Sequence, residues 1–532
     1  MRKLLKVFGV IVFVASISLW LAYRYYWEGV DTSNRKPAFT ISTETTYLTG
    51  PLDSMGYVDY ETALNERLRK GMKPEENAVV LLLKATGPNP ERANLSDLFF
   101  QALSIPRPAK TPNDYVSQRN FATENWAASE SRDPDFFQVD PPFMTRPWLA
   151  KDHPVCAEWL AKNTVALKYA EQASRCPKYY HPYVVPNREQ THQTLVDALL
   201  PNVQVNRDIA MAFACHAMMK TAEGKHDEAW ADLLTIHRLA RLQMQGGTLI
   251  EMLVGYSMEV IALDRDLAFL EHVQPSSDKI HKIVGDLQRL SAACTIGDKG
   301  LQGERIIHIS ILQQFHRGGF GILDALAGKK EISRPTRAKF AKVDDLDWNL
   351  IFQTSNGWFD RFEEIGRIAD RTARASALKA IKAEILDLSV SSNDILQEFA
   401  EVQVFGSARN SRSTKFANTL ARLVSPGLIK INDANDRREQ MAKNFRVACA
   451  LAAYKADNGR YPDKLDALKP KYLPTIPLDS FSGEQLIYEP DATGYLLYSV
   501  GINGEDEGGR SYSDLPRGDD LVIRMPLPPL KK

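Results

Sequence analysis

An acidic segment near the C-terminal end of the sequence carries the side chains best suited to bind a metal ion. Between residues 501 and 520, six carboxylates outnumber two arginines. Calcium takes about six to eight oxygen ligands from carboxylates, amide side chains and backbone carbonyls. The segment therefore predicts either a calcium-binding loop or a solvated acidic loop without a ligand. The carboxylates are those of Glu505, Asp506, Glu507, Asp514, Asp519 and Asp520, and the arginines are Arg510 and Arg517.

Histidines in helical patterns are the second candidates, for metal binding or for acid–base catalysis. His226 and His237 are 11 positions apart and can share one helix face. Asp227, Asp232 and His216 belong to the same predicted helical hairpin. The alternative interpretation is that these histidines are solvated or serve as ordinary hydrogen-bonded side chains.

A further histidine pair, His308 and His316, is eight positions apart and can also share a helix face. Here too, a hydrogen-bonded helix histidine is the alternative. The sequence contains none of the motifs HExxH, GxSxG, GxxxxGK[ST] or GxGxxG. We therefore predict no catalytic residue and no organic cofactor. Missing motifs do not exclude an enzyme, because active sites are often assembled from residues far apart in the chain.

The cysteines are too few for a disulfide-rich scaffold, with five in 532 residues. None is spaced as CxxC. In an oxidising compartment Cys156 and Cys176, which are 20 positions apart and flanked by Pro154 and Pro177, are the two that we expect to be able to pair. For all five cysteines the favoured interpretation is a buried thiol that packs as a small hydrophobic side chain. The remaining three are Cys215, Cys294 and Cys449.

The overall composition is that of a globular protein. Lys and Arg number 66, Asp and Glu number 66, and 44% of the residues are hydrophobic. A nucleic-acid-binding protein needs a basic face that displaces counterions from phosphates. The balanced charge therefore argues against nucleic acid as a partner. The length predicts roughly three or four domains.

The N-terminal segment is predicted to be a membrane anchor. Residues 4–23 are apolar except for Lys6, and about 20 residues are needed to cross the hydrocarbon core of a bilayer. Aromatic residues, which favour the membrane interface, follow directly as Tyr23, Tyr25, Tyr26 and Trp27. Basic residues precede the segment, so the N-terminus is expected in the cytoplasm and the bulk of the chain in the periplasm. The alternatives are a cleaved signal peptide and a buried soluble helix.

The remainder of the chain is predicted to be mainly α-helical. Residues 28–147 are expected to contain a tether, short helices and a connector rich in proline and aromatic residues. Residues 148–430 form the predicted helical domain. Within it, residues 206–271 contain a helix followed by G-K-x-x-E-A-W, a pattern that resembles the helix–turn–helix of a tetratricopeptide repeat. Because this is a single copy, an irregular helical bundle is the alternative.

Residues 431–532 are predicted to form a small α+β module. Asp436, with Glu439 three residues later, has the pattern of a helix N-cap, and Asn458-Gly459 has that of a helix end. Three strand patterns follow, at residues 485–489, 494–500 and 521–525. One amphipathic helix can cover one face of such an antiparallel sheet.

This module resembles the globular part of the type II secretion pseudopilins. The resemblance lies in ALAAYKADNGRYPDKLDAL, YLPTIPLDSFSGEQLIYE, GYLLYSVGINGEDEGG and DDLVIRM, about 100 of the 532 residues. It implies a helix packed on a small antiparallel sheet. The overall layout resembles large, uncharacterised, membrane-anchored bacterial proteins that end in this module, a family that implies no activity.

In the major pseudopilin the loop before the last strand binds calcium. The resemblance places Asn503 where that family has its first loop aspartate, and Asp519 or Asp520 where it has a later one. Asp506 completes the set that we predict as a calcium site. Asn503 is neutral, and two arginines enter the loop, so the ion would be neutralised less well than in the family.

The N-terminus differs from that of a filament subunit. Pseudopilins have a glycine cleavage site and then an apolar helix with glutamate at its fifth position, whereas Gly9 is followed by apolar residues only. We therefore expect a membrane-anchored extracytoplasmic scaffold or assembly protein that binds other envelope proteins, including secretion or pilus-like components. The alternatives are an accessory component of a type II secretion or pilus-like system, and an envelope hydrolase without a recognisable motif.

Overall fold

A computed structural model describes residues 35–90, 93–125, 141–185, 195, 198, 200–294, 296–318, 346–387 and 408–530. Fourteen α-helices and three β-strands lie in these ranges, so the predicted mainly helical fold with a small antiparallel sheet near the C-terminus is confirmed. The helices are α1 (Tyr60–Arg69), α2 (Ala78–Thr86), α3 (Asp97–Ala102), α4 (Gln118–Asn125), α5 (Pro154–Lys162), α6 (Thr164–Ala173), α7 (Pro201–Ala222), α8 (His226–Gln243), α9 (Leu249–Val273), α10 (Ser277–Gln288), α11 (Leu301–Gly318), α12 (Trp348–Gly366), α13 (Arg371–Asp387) and α14 (Arg409–Asn458). The strands are β1 (Ile487–Pro490), β2 (Tyr495–Ser499) and β3 (Leu521–Met525).

Helices α7, α8 and α9 pack against one another at the centre of the helical body. Gly224, with a φ of +77°, makes the turn between α7 and α8, a conformation that glycine adopts without a steric penalty. The Thr248 hydroxyl caps α9 by accepting a hydrogen bond from the Glu251 backbone N–H at 3.3 Å. Helix α8 is amphipathic, and three- and four-residue spacing places its large apolar side chains on the buried face. These side chains are Trp230, Leu233, Leu234, Ile236 and Leu239.

Buried apolar side chains form three clusters. The largest joins α7, α8 and α9 to α2, α5, α6 and the later helices α12, α13 and α14. The second places Phe39 and Tyr57 against α11, α12 and the first turns of α14. The first described residues therefore differ from the tether predicted within residues 28–147, because the aromatic side chain of Phe39 packs into a core.

Helix α14 extends for 50 residues from the helical body into the C-terminal module. Its beginning corrects the prediction of a helix start at Asp436. Residues from Arg409 onward are helical, and Asp436 lies inside the helix. Its carboxylate pairs with Arg374 and, at 3.3 Å, with Arg371 on α13. The acidic residue that resembled a local cap is thus engaged in a tertiary ion pair.

The sheet is antiparallel with the order β1-β2-β3. Each strand lies within two residues of the prediction made for it. Helix α14 also ends as predicted, because Gly459 adopts a φ of +75° and donates its N–H to the Lys455 carbonyl at 2.8 Å.

One face of the sheet packs on the last turns of α14. Leu497, Ile523 and Met525 are buried against Val447 and Leu451 of the helix. Because successive strand residues face opposite sides, these alternate positions form one apolar face. The predicted arrangement of one helix on an antiparallel sheet is therefore observed.

Two side-chain contacts join the module to α9 of the helical body. The Leu527 backbone N–H donates to Glu271 Oε1 on α9 at 2.7 Å. On α14 itself, Arg438 Nη1 donates to Glu259 Oε2 on α9 at 3.0 Å. The module is thus held to α9 at two positions.

The predicted membrane anchor, residues 4–23, lies outside the described residues. Among the residues that are described, no helix combines the length and the apolar composition needed to cross a bilayer.

Candidate functional site

The acidic loop joins β2 to β3, and the pairing of these two strands brings its ends together. Asn503 follows β2 closely, and Asp519 and Asp520 directly precede β3. The Asn503 backbone N–H donates to Asp519 Oδ2 at 3.0 Å. The strand pairing therefore brings together three of the four predicted ligands, although they are up to 17 positions apart.

Glu507 completes this cluster in place of Asp506. The Asn503 side-chain amide donates to Glu507 Oε1, and the Asp519 backbone N–H donates to Glu507 Oε2 at 3.1 Å. Asp506 is engaged elsewhere, because its Oδ1 accepts hydrogen bonds from the Tyr498 hydroxyl at 3.0 Å and from a backbone N–H. We call Asn503, Glu507, Asp519 and Asp520 the loop cluster.

Asp520 is the buried carboxylate of the loop cluster. Its Oδ2 accepts hydrogen bonds from the backbone N–H groups of Gly509 at 2.8 Å and Arg510 at 3.1 Å. Its Oδ1 is buried and has no hydrogen-bonding partner among the described residues. Burial, together with the neighbouring Glu507 carboxyl group, raises the pKa of Asp520 to about 6. A cation beside Asp520 Oδ1 would offset this unfavourable environment.

Asp519 is tied to helix α14 by an ion pair. Arg437 Nη2 donates to Asp519 Oδ1 at 2.5 Å, and both side chains are mostly buried. The guanidinium thus neutralises one carboxylate of the loop cluster. It also fixes the loop to the long helix that enters the helical body.

The donor chemistry of the loop cluster fits a calcium ion in part. Glu507 and Asp520 supply carboxylate oxygens, and Asp520 Oδ1 needs a partner. Within the described ranges, no group of three or more His, Cys, Asp or Glu side chains is arranged to hold a metal ion. A calcium ion here would therefore rely on two carboxylates, with backbone carbonyls and water as its other ligands.

The predicted histidine group is divided between two separate pairs. His216 Nδ1 lies 2.7 Å from Asp232 Oδ2, between α7 and α8. His237 Nε2 lies 2.8 Å from Asp266 Oδ2, between α8 and α9, and this pair is fully buried. His226 is the first residue of α8 and belongs to neither pair. The three histidines therefore do not converge on one site.

His308 and His316 are also separate. The His308 ring lies against Phe359, with 5.2 Å between the ring centroids. His316 Nδ1 is 3.0 Å from the Tyr57 hydroxyl, and its Nε2 accepts a hydrogen bond from the Ala38 backbone N–H at 3.3 Å. Both histidines are buried parts of the helical body.

Glu251 is a buried acidic group that the sequence analysis did not identify. It accepts hydrogen bonds from the Tyr183 hydroxyl, from Thr248 Oγ1 at 3.0 Å and from Asn202 Nδ2 at 3.4 Å. Burial raises the pKa of this carboxyl group. The signal in the sequence is an acidic residue inside the apolar run TLIEMLVGY.

A small cavity lies beside this network. Apolar side chains form part of its lining, and its polar lining consists of Thr86, Tyr179, His181, Asn202 and Asn206. Its volume is about 20 Å³, enough for about one water molecule. His181 Nδ1 and Asn202 Oδ1 have no hydrogen-bonding partner in the described part of the chain, so a single water fits the lining.

Comparison with known proteins gives no match. No protein-family model matches the chain, and no curated protein and no solved structure is significantly similar to it.

Proposed function

We propose that this protein is a membrane-anchored extracytoplasmic scaffold that binds other envelope proteins. The observation that carries the proposal is helix α14, which continues from the helical body into the C-terminal module. Two contacts of the module with α9 of the helical body add to this connection. A scaffold must present its binding surfaces in a fixed relative orientation, and a shared helix provides this.

The proposed location rests on the N-terminal sequence. Residues 4–23 have the length and composition of a transmembrane helix, and the basic residues before them favour a cytoplasmic N-terminus. The bulk of the chain then lies in the periplasm. The helical hairpin of α7 and α8, which we interpret as TPR-like, and the pseudopilin-like module are the proposed partner-binding parts.

Location and binding are tested separately on the full chain. One test uses a reporter enzyme that works only outside the cytoplasm, fused after Lys532, and we expect this fusion to show activity in cells. The protein is also expected to stay with membranes after a carbonate wash. Crosslinking in intact cells, followed by purification in mild detergent, is expected to recover envelope proteins. A fusion of residues 1–27 to the same reporter is the control. Recovery of no partner, or only of the partners that this control recovers, contradicts the scaffold proposal.

A second candidate, an accessory component of a type II secretion or pilus-like system, is favoured by the helix-on-sheet arrangement of the module. This candidate predicts a shortened N-terminus, produced by a prepilin peptidase at Gly9. The mass of the N-terminal peptide in cells with and without the peptidase tests it. An unchanged N-terminus in both argues against this role.

We further propose that the loop cluster binds calcium. Calcium is expected to raise the thermal unfolding midpoint of the protein, because an ion bound only by the folded state stabilises it. Asp520→Asn is expected to abolish this rise, since it removes the buried carboxylate charge. Calorimetric titration of the calcium-free protein measures the binding directly.

The matched control is Glu505→Gln, which removes one negative charge from an exposed position in the same loop. This variant is expected to bind calcium nearly as tightly as the original protein. An equal loss of calcium affinity in Asp520→Asn and Glu505→Gln would indicate a diffuse attraction of cations to an acidic loop. Magnesium, which requires a more regular octahedron of ligands, is expected to bind more weakly.

A further inference from the structure

Two cysteine thiols meet inside the helical body. Cys156 on α5 and Cys215 on α7 are both fully buried, and their Sγ atoms are 3.1 Å apart. A disulfide bond is about 2.05 Å long, so the two sulfur atoms are about 1 Å from bonding distance. We infer that Cys156 and Cys215 form a disulfide bond when the protein folds in an oxidising compartment.

The neighbouring structure holds the two helices in this arrangement. The Trp148 indole N–H, in the segment that leads into α5, donates to the Cys215 carbonyl at 3.1 Å. The rings of Phe143 and His153 in the same segment stack with their centroids 3.7 Å apart. The entry to α5 is therefore fixed against α7, with the two sulfur atoms in contact.

This pairing differs from the interpretation favoured for all five cysteines, a buried thiol that does not pair. Cys176, which the sequence offered as the alternative partner of Cys156, is only partly buried in the segment after α6. The structure gives all five cysteines as thiols, and it records a sulfur–sulfur contact for Cys156 and Cys215.

The oxidation is a thiol–disulfide exchange. One cysteine thiolate attacks the disulfide of a dithiol oxidase, and the second then displaces the oxidase from the mixed disulfide. The protein loses two protons and two electrons, and the oxidase leaves with two reduced thiols. The exchange must occur while the chain folds, because both side chains are inaccessible afterwards. Its occurrence in the cell rests on the proposed extracytoplasmic location.

The bond would close a loop between residues 59 positions apart. Crosslinks of this span stabilise a protein mainly by restricting its unfolded chain. We expect reduction to lower the thermal unfolding midpoint by roughly 2–4 °C.

Peptide mapping tests the inference on the unmodified full chain. Protein from envelope fractions is alkylated in denaturant without a reducing agent and digested with trypsin. Cys156 lies in the tryptic peptide of residues 152–162, and Cys215 lies in that of residues 208–220. These two peptides are expected to be joined by the disulfide bond. Dithiothreitol should separate them, Cys156→Ala should eliminate the joined peptide, and Cys176→Ala should retain it. Separate alkylation of the two peptides, or a link from Cys156 to Cys176, argues against the pair.

Oxidation of the purified protein distinguishes this inference from the proposed location. The full chain is reduced and unfolded in denaturant and is then refolded in detergent with diamide, which takes up two hydrogen atoms as two thiols join. If the joined peptide forms with diamide but is absent from cells, the pairing is supported and the extracytoplasmic location is contradicted. If it forms in neither case, the inference is overturned, whatever the topology reporter shows.

Discussion

Replacing Glu259 with glutamine is expected to destabilise the protein by about 3–5 kcal/mol, the usual cost of removing one partner from a buried ion pair. The Glu259 side chain lies on α9 and is 3% exposed. Its Oε1 accepts a hydrogen bond from Arg241 on α8 at 2.6 Å, and its Oε2 accepts one from Arg438 on α14 at 3.0 Å. A single carboxylate therefore joins three helices, one of which continues into the C-terminal module.

The size of the expected effect follows from the two arginines. Without the carboxylate, two positive charges would remain close together in a poorly solvated region. Burial already lowers the pKa of Arg241, and the Glu259 carboxylate opposes this shift. Arg438 keeps hydrogen bonds to Asn435 at 2.9 Å and Glu439 at 3.1 Å, but Arg241 has no such second carboxylate contact among those recorded for the described residues.

Urea unfolding followed by tryptophan fluorescence measures this effect. The matched control is Glu384→Gln, because Glu384 accepts two hydrogen bonds from Arg361 in an ion pair whose side chains are 42% and 48% exposed. An exposed pair contributes less than about 1 kcal/mol. Similar losses in the two variants would contradict the view that Glu259 is the central connection between the body and the module.

The module was more predictable than the helical body because its signals are local. Alternating apolar residues define β2 and β3, and Asn458-Gly459 defines the end of α14. The start of α14 could not be predicted in the same way. Asp436 has the sequence pattern of a helix cap, but α13 supplies arginines that hold its carboxylate inside the helix. A tertiary contact outweighed a local preference.

The same distinction applies to the candidate site. The sequence indicates which loop is acidic, but Asp506 and Glu507 are adjacent and equally suitable by residue type. Only the fold directs Asp506 to the Tyr498 hydroxyl and Glu507 to Asp519 and Asn503. The cysteine pair is a similar case, since the contact spans residues 59 positions apart and no local pattern marks it.

Three buried histidines are expected to make the protein less stable as the pH falls below about 6.5. Burial lowers the pKa of His181 to about 3, that of His308 to about 4 and that of His316 to about 3. In the unfolded chain the pKa of each is about 6.5. Between these limits the unfolded chain binds protons that the native protein does not bind, so stability is lost as the pH decreases.

His316 shows the structural reason for such a shift. Its Nε2 accepts the Ala38 N–H, so the ring proton resides on Nδ1, which donates to the Tyr57 hydroxyl. A second proton on Nε2 would remove the acceptor that Ala38 uses. It would also add a positive charge beside Arg35, which contributes to the lowered pKa of His316.

Each of these histidines is expected to contribute about 1.4 kcal/mol of lost stability per pH unit between pH 6 and the native pKa. Buried acids such as Glu251 act in the opposite direction, because their raised pKa makes the native state bind protons more readily. The contribution of one histidine is therefore best measured as the difference between a variant and the original protein. His308→Gln is expected to remove about 3 kcal/mol of the loss between pH 6.5 and 4.

The control for this experiment is His281→Gln. His281 is exposed on α10 and bonds only to the Ser277 carbonyl of its own helix among the contacts recorded for it. Urea unfolding midpoints measured at half-unit steps of pH should give parallel curves for His281→Gln and the original protein, whereas His308→Gln should give a shallower curve. If the His308 curve is also parallel, then His308 takes up a proton in the native state near pH 6.5, and its burial does not hold it neutral.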